Sequence, residues 1–445
     1  MLPATPGQHR RGEPTMTRHV RPQEACALAA EMPAPQAGEV VVWDRAVRLF
    51  HWLLAAAVFA ALATGLVAPR PWLDAHVVLG TAAAVLVVFR LVWGVLGPTY
   101  ARFASFPPDP RAALAHAGGM LRGRTIHDAV SGRSLRDPGN ELAENPGPEG
   151  GFSASGMRFS GLISRNPHFI GHNPLGAMMV ATLLVVIVAL TVTGVVMLGG
   201  LAKEGPLAAA TSFAAGASAR DIHAALGWLI LALAVLHIAG VLIEGRREGQ
   251  SLVWGMVTGR KAAMPGAVTA PERAARPRLA AAILATLAVV LVPAIVMASR
   301  QPAAGVPTAP LDPLYVHECG ACHSPHHPSI APSATWAGIV EHLTAHFEED
   351  ASLSEADTAR LAAYLADNSA ERFDTKAANL LRTPSADAPL RITATAGWTR
   401  LHRGVPANVF TTRAVGGALN CSACHADAET GHFAARAIAL PKETH

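Results

Sequence analysis

The run Asp221-Ile-His223-Ala-Ala-Leu-Gly-Trp-Leu-Ile-Leu-Ala-Leu-Ala-Val-Leu-His237-Ile-Ala-Gly240 decides the fold. It is apolar for about the length that crosses a ~30 Å hydrocarbon layer, yet it carries two histidines 14 residues apart. On a helix that spacing is about 21 Å along the axis and within about 40° of one face. Ionisable side chains are costly inside a bilayer, so two on one face point to a function.

Four further runs of similar character surround it. The five expected spans are Leu49–Ala68, His76–Leu96, Leu175–Ala202, Ile222–Ile243 and Leu279–Ser299. Asn173-Pro174 should open the third as cap and first-turn proline, and Asp221 should cap the fourth. Over 445 residues only 15% are charged and 51% are hydrophobic, where soluble domains carry roughly 25% charge. A soluble enzyme and a disordered chain are both excluded. The basic residues flank apolar spans and form no groove or single helix face, so nucleic acid is not the partner.

The basic residues also orient the spans. Arg45 and Arg48 precede the first, the run from Arg102 to Arg165 joins the second to the third, and the stretch from Arg246 to Arg278 joins the fourth to the fifth. The remaining connections hold only Arg70, Lys203 and Arg220. The N-terminus is therefore expected in the cytoplasm of a bacterium, with five crossings of the inner membrane and residues 300–445 in the periplasm. Those outer residues fit a different setting, because residues 301–445 hold 10 Lys/Arg against 15 Asp/Glu, a net of −5 within a chain of net +4. The expected division is a disordered tail over 1–40 with no cleavable signal peptide (Met16 is an alternative start) and a membrane domain over 41–250. A flexible loop is expected near 126–165, a linker over 251–278, the fifth span over 279–299 and an outer domain over 300–445. Within the outer domain, Ser333–Phe347 and Ser354–Leu365 read as short helices.

Four of the five cysteines fall in Cys319-Gly-Ala-Cys322-His323 and Cys421-Ser-Ala-Cys424-His425. In a CxxCH motif the two thiols add to the vinyl groups of haem, and the histidine reaches the iron. A zinc ribbon needs closer pairs and no following histidine; a thioredoxin-like motif explains neither the duplication nor the histidines. Residues 301–445 contain no methionine, so the second axial ligand is histidine or the site is open. The spare histidines are His317, His326, His327, His342, His346, His402, His432 and His445. His342 and His346, four apart on one expected helix, also admit a metal-pair reading.

The membrane histidines sort by depth. His76 and His223 each start at an outward end, and His51 and His237 lie toward the cytoplasm. Each pair, drawn from two facing helices, suits a non-covalent haem b. Arg90, 14 residues beyond His76, stands at the inner level, where it would pair with a propionate or run out to the headgroups. His172 admits a quinone-site or a structural reading.

The stretch Trp43-Asp-Arg-Ala-Val-Arg-Leu-Phe-His51-Trp52, His76, Gly171-His-Asn-Pro-Leu-Gly176 and the His223/His237 span resemble the bacterial cytochrome b561 family, which includes the b-type subunits of nickel–iron hydrogenases. That resemblance covers residues 40–250 and implies a four-helix bundle, two haems b and exchange with membrane quinone. Residues 311–440 resemble the dihaem cytochrome c family through the two CxxCH motifs, Ala345-His346-Phe347, Trp398-Thr-Arg-Leu-His402-Arg403 and Gly431-His432-Phe433. This second resemblance implies two bis-histidine haems c, with His346 and His402 as distal ligands in unassigned order. The partners it implies are a b-type membrane cytochrome and a small oxygen-binding cytochrome c.

The expectation is a mainly α protein: a transmembrane bundle with a four-helix di-haem b core and a fifth span, followed by a small, loop-rich helical domain holding two haems c. Electrons would pass from quinol through the haems b to the haems c and on to a soluble cytochrome or other redox protein. That describes an electron-transfer protein or a quinol:cytochrome oxidoreductase. Two other readings compete: an oxidoreductase acting on oxygen, superoxide or a metal ion at an open haem, and a sensor or membrane anchor for a larger enzyme such as a hydrogenase.

Overall fold

A computed structural model describes residues 39–67, 72–121, 171–262 and 271–441. The expected tail up to residue 38, Cys26, the loop near 126–165, part of the linker and His445 lie outside the described residues. Among the described residues, five helices are long and apolar enough to cross a membrane. They are α1 (Arg45–Leu66), α2 (Leu73–Leu96), α4 (Pro174–Met197, extended by a π-turn over Leu198–Ala202), α5 (Phe213–Glu248) and α7 (Pro277–Ser299). Between them stand α3 (Pro110–Leu121) and α6 (Leu252–Thr258).

Side-chain caps start three of the membrane helices. Asp44 caps α1 by accepting from Val47 N at 2.9 Å, and its other oxygen accepts from Trp93 Nε1 at 3.0 Å, tying the start of α1 to the end of α2. Asn173 caps α4 through Gly176 N at 2.7 Å, followed by Pro174 as expected. The expected cap at Asp221 is wrong: α5 begins at Ser212, whose side chain accepts from Ala215 N, and Asp221 sits inside the helix beside Arg220. At 36 residues α5 is about 54 Å long, so it projects well beyond an apolar layer.

The four helices α1, α2, α4 and α5 share one core around Phe50, Ala83, Val87, Leu184, Ile187 and Ile230. In lipid there is no hydrophobic drive between helices, so close approach of small residues does more of the work. Gly200 and Gly216 show this, since a Cβ on Gly200 would stand 2.6 Å from the Gly216 Cα. That contact presses the π-turn against the first turns of α5. Helix α7 lies against α2 and leaves Val289, Val290 and Val292 exposed to the surroundings. A two-stranded antiparallel ladder, β1 (Glu39–Val41) with β2 (Arg260–Ala262), joins the start of the bundle to the segment expected as linker.

The C-terminal domain is built from short helices: α8 (Pro313–Cys319), α9 (Ser333–Glu341), α10 (Glu355–Asp367), α11 (Lys376–Leu381), α12 (Ala396–His402) and α13 (Ala407–Phe410). Tyr315, Trp336, Leu361, Leu365 and Leu381 form its core. The expected helix over Ser333–Phe347 stops at Glu341. A tighter turn follows over Leu343–Ala345, and the backbone is left-handed at Phe347 and Glu348. His342 and His346 therefore do not share a helix face, and the metal-pair reading fails. Among the described residues no cluster of three or more metal-binding side chains suits a bare ion.

Candidate functional site

At the end of the bundle that carries the C-terminal domain, α2 presents His76 and α5 presents His223, their ring centroids 6.0 Å apart. Each imidazole is oriented by the helix preceding its own. His76 Nδ1 donates to Ala61 O at 3.0 Å with Thr64 Oγ1 at 3.3 Å, and His223 Nδ1 donates to Leu190 O at 3.1 Å with Thr193 Oγ1 also at 3.1 Å. Fixing Nδ1–H on a carbonyl leaves Nε2 as the free lone pair, the arrangement of a metal-binding histidine. Gly65 and Gly194 complete the seats, for a Cβ there would stand 3.0 Å from His76 Cε1 and 3.4 Å from His223 Cε1. The seat repeats along the chain as Ala61-Leu-Ala-Thr64-Gly65 and Leu190-Thr-Val-Thr193-Gly194, and sequence reasoning, which named the histidines, missed its threonines. The Thr-Gly pairs were its available signal.

Toward the opposite end lie His51 on α1 and His237 on α5, within electrostatic range of each other. Arg90 does not run out to the surface. It is 3% exposed, its guanidinium lies 4.4 Å from the Phe103 ring centroid, and its Nη1 has no hydrogen-bond partner among the described residues. The Nδ1 atoms of His51 and His172 are likewise buried without a partner. His172 is packed between Trp43 and Phe106, ring centroids 4.7 and 4.3 Å away. Unpaired buried polar atoms are costly; three of them at one end of the bundle suit an additional polar group, such as a haem propionate beside Arg90.

The C-terminal domain pairs its histidines in the same way. His346 faces His323 with centroids 6.5 Å apart, and His402 faces His425 at 6.2 Å. The other described histidines of the domain are engaged elsewhere. His326 Nε2 meets Leu419 O at 2.7 Å, His327 Nδ1 accepts from Ser329 N, His342 Nδ1 donates to Gly338 O, His432 Nε2 donates to Ala202 O, and His317 pairs with Glu318. His402 is braced by Nδ1 donating to Trp398 O at 2.9 Å and by the Trp398 ring stacked at 4.3 Å. Burial, then the facing His323, holds His346 below the ordinary imidazole range; burial, then His402, does the same to His425. Both shifts favour the neutral imidazole, the form that ligates. Burial pushes Cys319 and Cys421 up to about 11, and none of the four motif cysteines is in a disulfide.

The spacing fits iron. Two imidazole nitrogens each about 2 Å from a shared metal put their ring centroids roughly 6 Å apart, as three of the four pairs have them. Five apolar helices, three of which carry the paired histidines, and a domain with two CxxCH motifs define a membrane electron-transfer cytochrome with haem b and haem c. Residues 42–131 and 155–259 match the family model of prokaryotic cytochrome b561, and residues 315–433 belong to dihaem cytochrome c. Among solved structures the chain is similar to a dihaem cytochrome c from Rhodobacter sphaeroides. Identity is 35% over 28% of this chain and 100% of that one, with a TM-score of 0.25. A second crystal structure, of DHC purified from the same organism, shows 33% identity over the same shares, TM-score 0.22. A dihaem cytochrome of type c from Shewanella baltica shows 30% identity over 30% of this chain and 95% of that one, TM-score 0.25. No curated protein matches the chain.

Proposed function

We propose that the protein carries electrons from the membrane quinol pool to a soluble acceptor in the bacterial periplasm, across the inner membrane that its five helices span. The N-terminus lies in the cytoplasm and the C-terminal domain in the periplasm, by the distribution of arginines between the connections. The observation that carries this reading is the near-equal spacing of three histidine pairs, 6.0, 6.2 and 6.5 Å.

His76 with His223, and His51 with His237, would hold two haems b, the second with Arg90 at a propionate. Cys319, Cys322 and His323 with His346, and Cys421, Cys424 and His425 with His402, would hold two haems c. When bound, haem supplies a one-electron ferric/ferrous couple; the chain's residues supply position and electrostatic environment. Histidine on both faces closes a site to oxygen and other ligands, which favours electron transfer over oxygen chemistry. Joining the two kinds of site in one chain keeps them at high effective concentration without a docking step. The net charge of −5 on residues 301–445 favours a soluble partner with a basic face, such as a small cytochrome c, including one that binds oxygen.

The test is anaerobic addition of a quinol to the oxidised protein, with the haem b and haem c absorptions followed separately in time. Reduction of haem b followed by haem c supports the reading. Haem c that stays oxidised, yet is reduced by dithionite, overturns it in favour of reverse flow or of an anchor role in a larger complex.

A further inference from the structure

Residues 431–439 touch both halves of the molecule. On one side they pair with the second CxxCH motif: Ala426 N donates to Ala437 O at 3.0 Å, Ala439 N donates to Cys424 O at 2.8 Å, and the Phe433 ring lies 5.2 Å from that of His425. On the other side they meet the bundle. His432 Nε2 donates to Ala202 O at 3.0 Å, and Arg436 bridges Asp74 at 3.0 Å and Glu204 at 3.1 Å. Asp74 stands two residues before His76 on α2. Ala202 ends the π-turn whose Gly200 is pressed against Gly216, two turns of α5 before His223. Gly431 and Phe433 are both left-handed, with φ of 68° and 52°. That twist turns His432 to the bundle and Phe433 to His425, and a phenylalanine stays in such a conformation only where its surroundings impose it. Cys322 and His323 of the first motif are exposed, and the neighbouring Ser324 meets Ser422 of the second motif at 3.2 Å.

We infer that residues 431–439 are the joint between the two halves, with His432 and Arg436 as positioning residues, so that the His402–His425 site and not the His323–His346 site exchanges electrons with the bundle. This rests on reading the histidine pairs as haem sites. A second anchor also holds the domain: Lys203, its side chain fully buried, binds Asp374 at 2.8 Å, and Phe213 N donates to the same carboxylate at 2.7 Å. Loss of Arg436 therefore loosens the joint without releasing the domain.

The test uses the full, haem-loaded chain in sealed vesicles with the C-terminal domain outward, comparing wild type, Arg436→Glu, and Arg436→Glu with Glu204→Lys. Amide hydrogen exchange reads the joint, with Phe213 as the internal control. The dithionite-reduced protein is then mixed with ferricyanide, which does not cross the bilayer. Each ferricyanide takes one electron at the C-terminal domain, and one electron leaves a haem b to replace it, with no proton transferred. In Arg436→Glu, exchange at 432–439 should rise while Phe213 stays protected, and haem b oxidation should slow about fivefold or more, the population shift expected from losing an exposed bifurcated ion pair. Glu204→Lys should restore much of both. The inference is overturned if the joint loosens and haem b oxidation keeps its wild-type rate, or if neither readout changes. Absence of haem b from the starting spectrum would instead contradict the haem-site reading, before any mixing.

Discussion

Gly65 and Gly194 occupy equivalent seats with different clearances, so alanine at each should give opposite results. At Gly65 a Cβ would stand 3.0 Å from His76 Cε1 and 3.2 Å from Nδ1, and the imidazole must yield by a few tenths of an ångström. It is not free to do so, because Nδ1 is held on Ala61 O at 3.0 Å. Loosening that hydrogen bond costs about 1 kcal/mol. Replacing a glycine inside a helix by alanine returns a similar amount, about 0.8–1 kcal/mol, so the stability of Gly65→Ala should change little. Haem binding reports the first term alone and should weaken about fivefold. At Gly194 the nearest approach is 3.4 Å, an ordinary contact, and Gly194→Ala should keep its haem. The assay is the ratio of haem b to haem c after a detergent challenge, taken from pyridine haemochrome spectra. Equal or greater haem b loss in Gly194→Ala would refute the steric argument.

Other perturbations separate the remaining sites. His346→Ala should open one haem c to carbon monoxide in the reduced protein and His402→Ala the other, with two binding equivalents in the double variant; a single substitution that opens both contradicts the pairing. Arg90→Leu removes a buried cation and so stabilises the ferric form nearby. One haem b potential should fall by about 40–80 mV, the equivalent of 1–2 kcal/mol, with the other unmoved in a redox titration. Burial pushes His327 down to about 4, and it is 2% exposed. The unfolded chain therefore binds more protons between pH 6.5 and 4. Stabilisation is full above 6.5 and lost as pH falls toward 4, by about 3 kcal/mol in total. Denaturant melts of the C-terminal domain at pH 7.5 and 4.5 should show that loss in wild type and a flatter profile in His327→Gln.

Hydropathy made the five spans legible, because a run of Leu, Val and Ala must be satisfied by helix wherever lipid excludes water. The start of α5 was not legible. Phe213-Ala-Ala-Gly-Ala-Ser-Ala-Arg220 has no continuous apolar run, and the Ser212 cap and the packing of Gly216 on Gly200 mark the start of the helix there. The four membrane histidines could be sorted by depth from spacing along rigid helices. Which distal histidine serves which CxxCH motif could not, because His346 and His402 reach their partners through turns whose path depends on tertiary contacts. The helix expected to carry both His342 and His346 shows the same limit: it ends at Glu341, where His342 Nδ1 folds back on Gly338 O. The threonines of the two seats were not legible because Thr64 stands 12 residues before His76, whereas Thr193 stands 30 before His223, with the π-turn, a connection and nearly three turns of α5 between them.

The central claim is four closed sites, two of each haem type, each held between two histidines. Pyridine haemochrome analysis of the full chain, followed by carbon monoxide difference spectra of the dithionite-reduced protein, tests it most directly. Two haems b and two haems c per chain are expected, with no change on adding carbon monoxide. Fewer than two haems b, or a haem c that binds carbon monoxide in the unmodified protein, would contradict it.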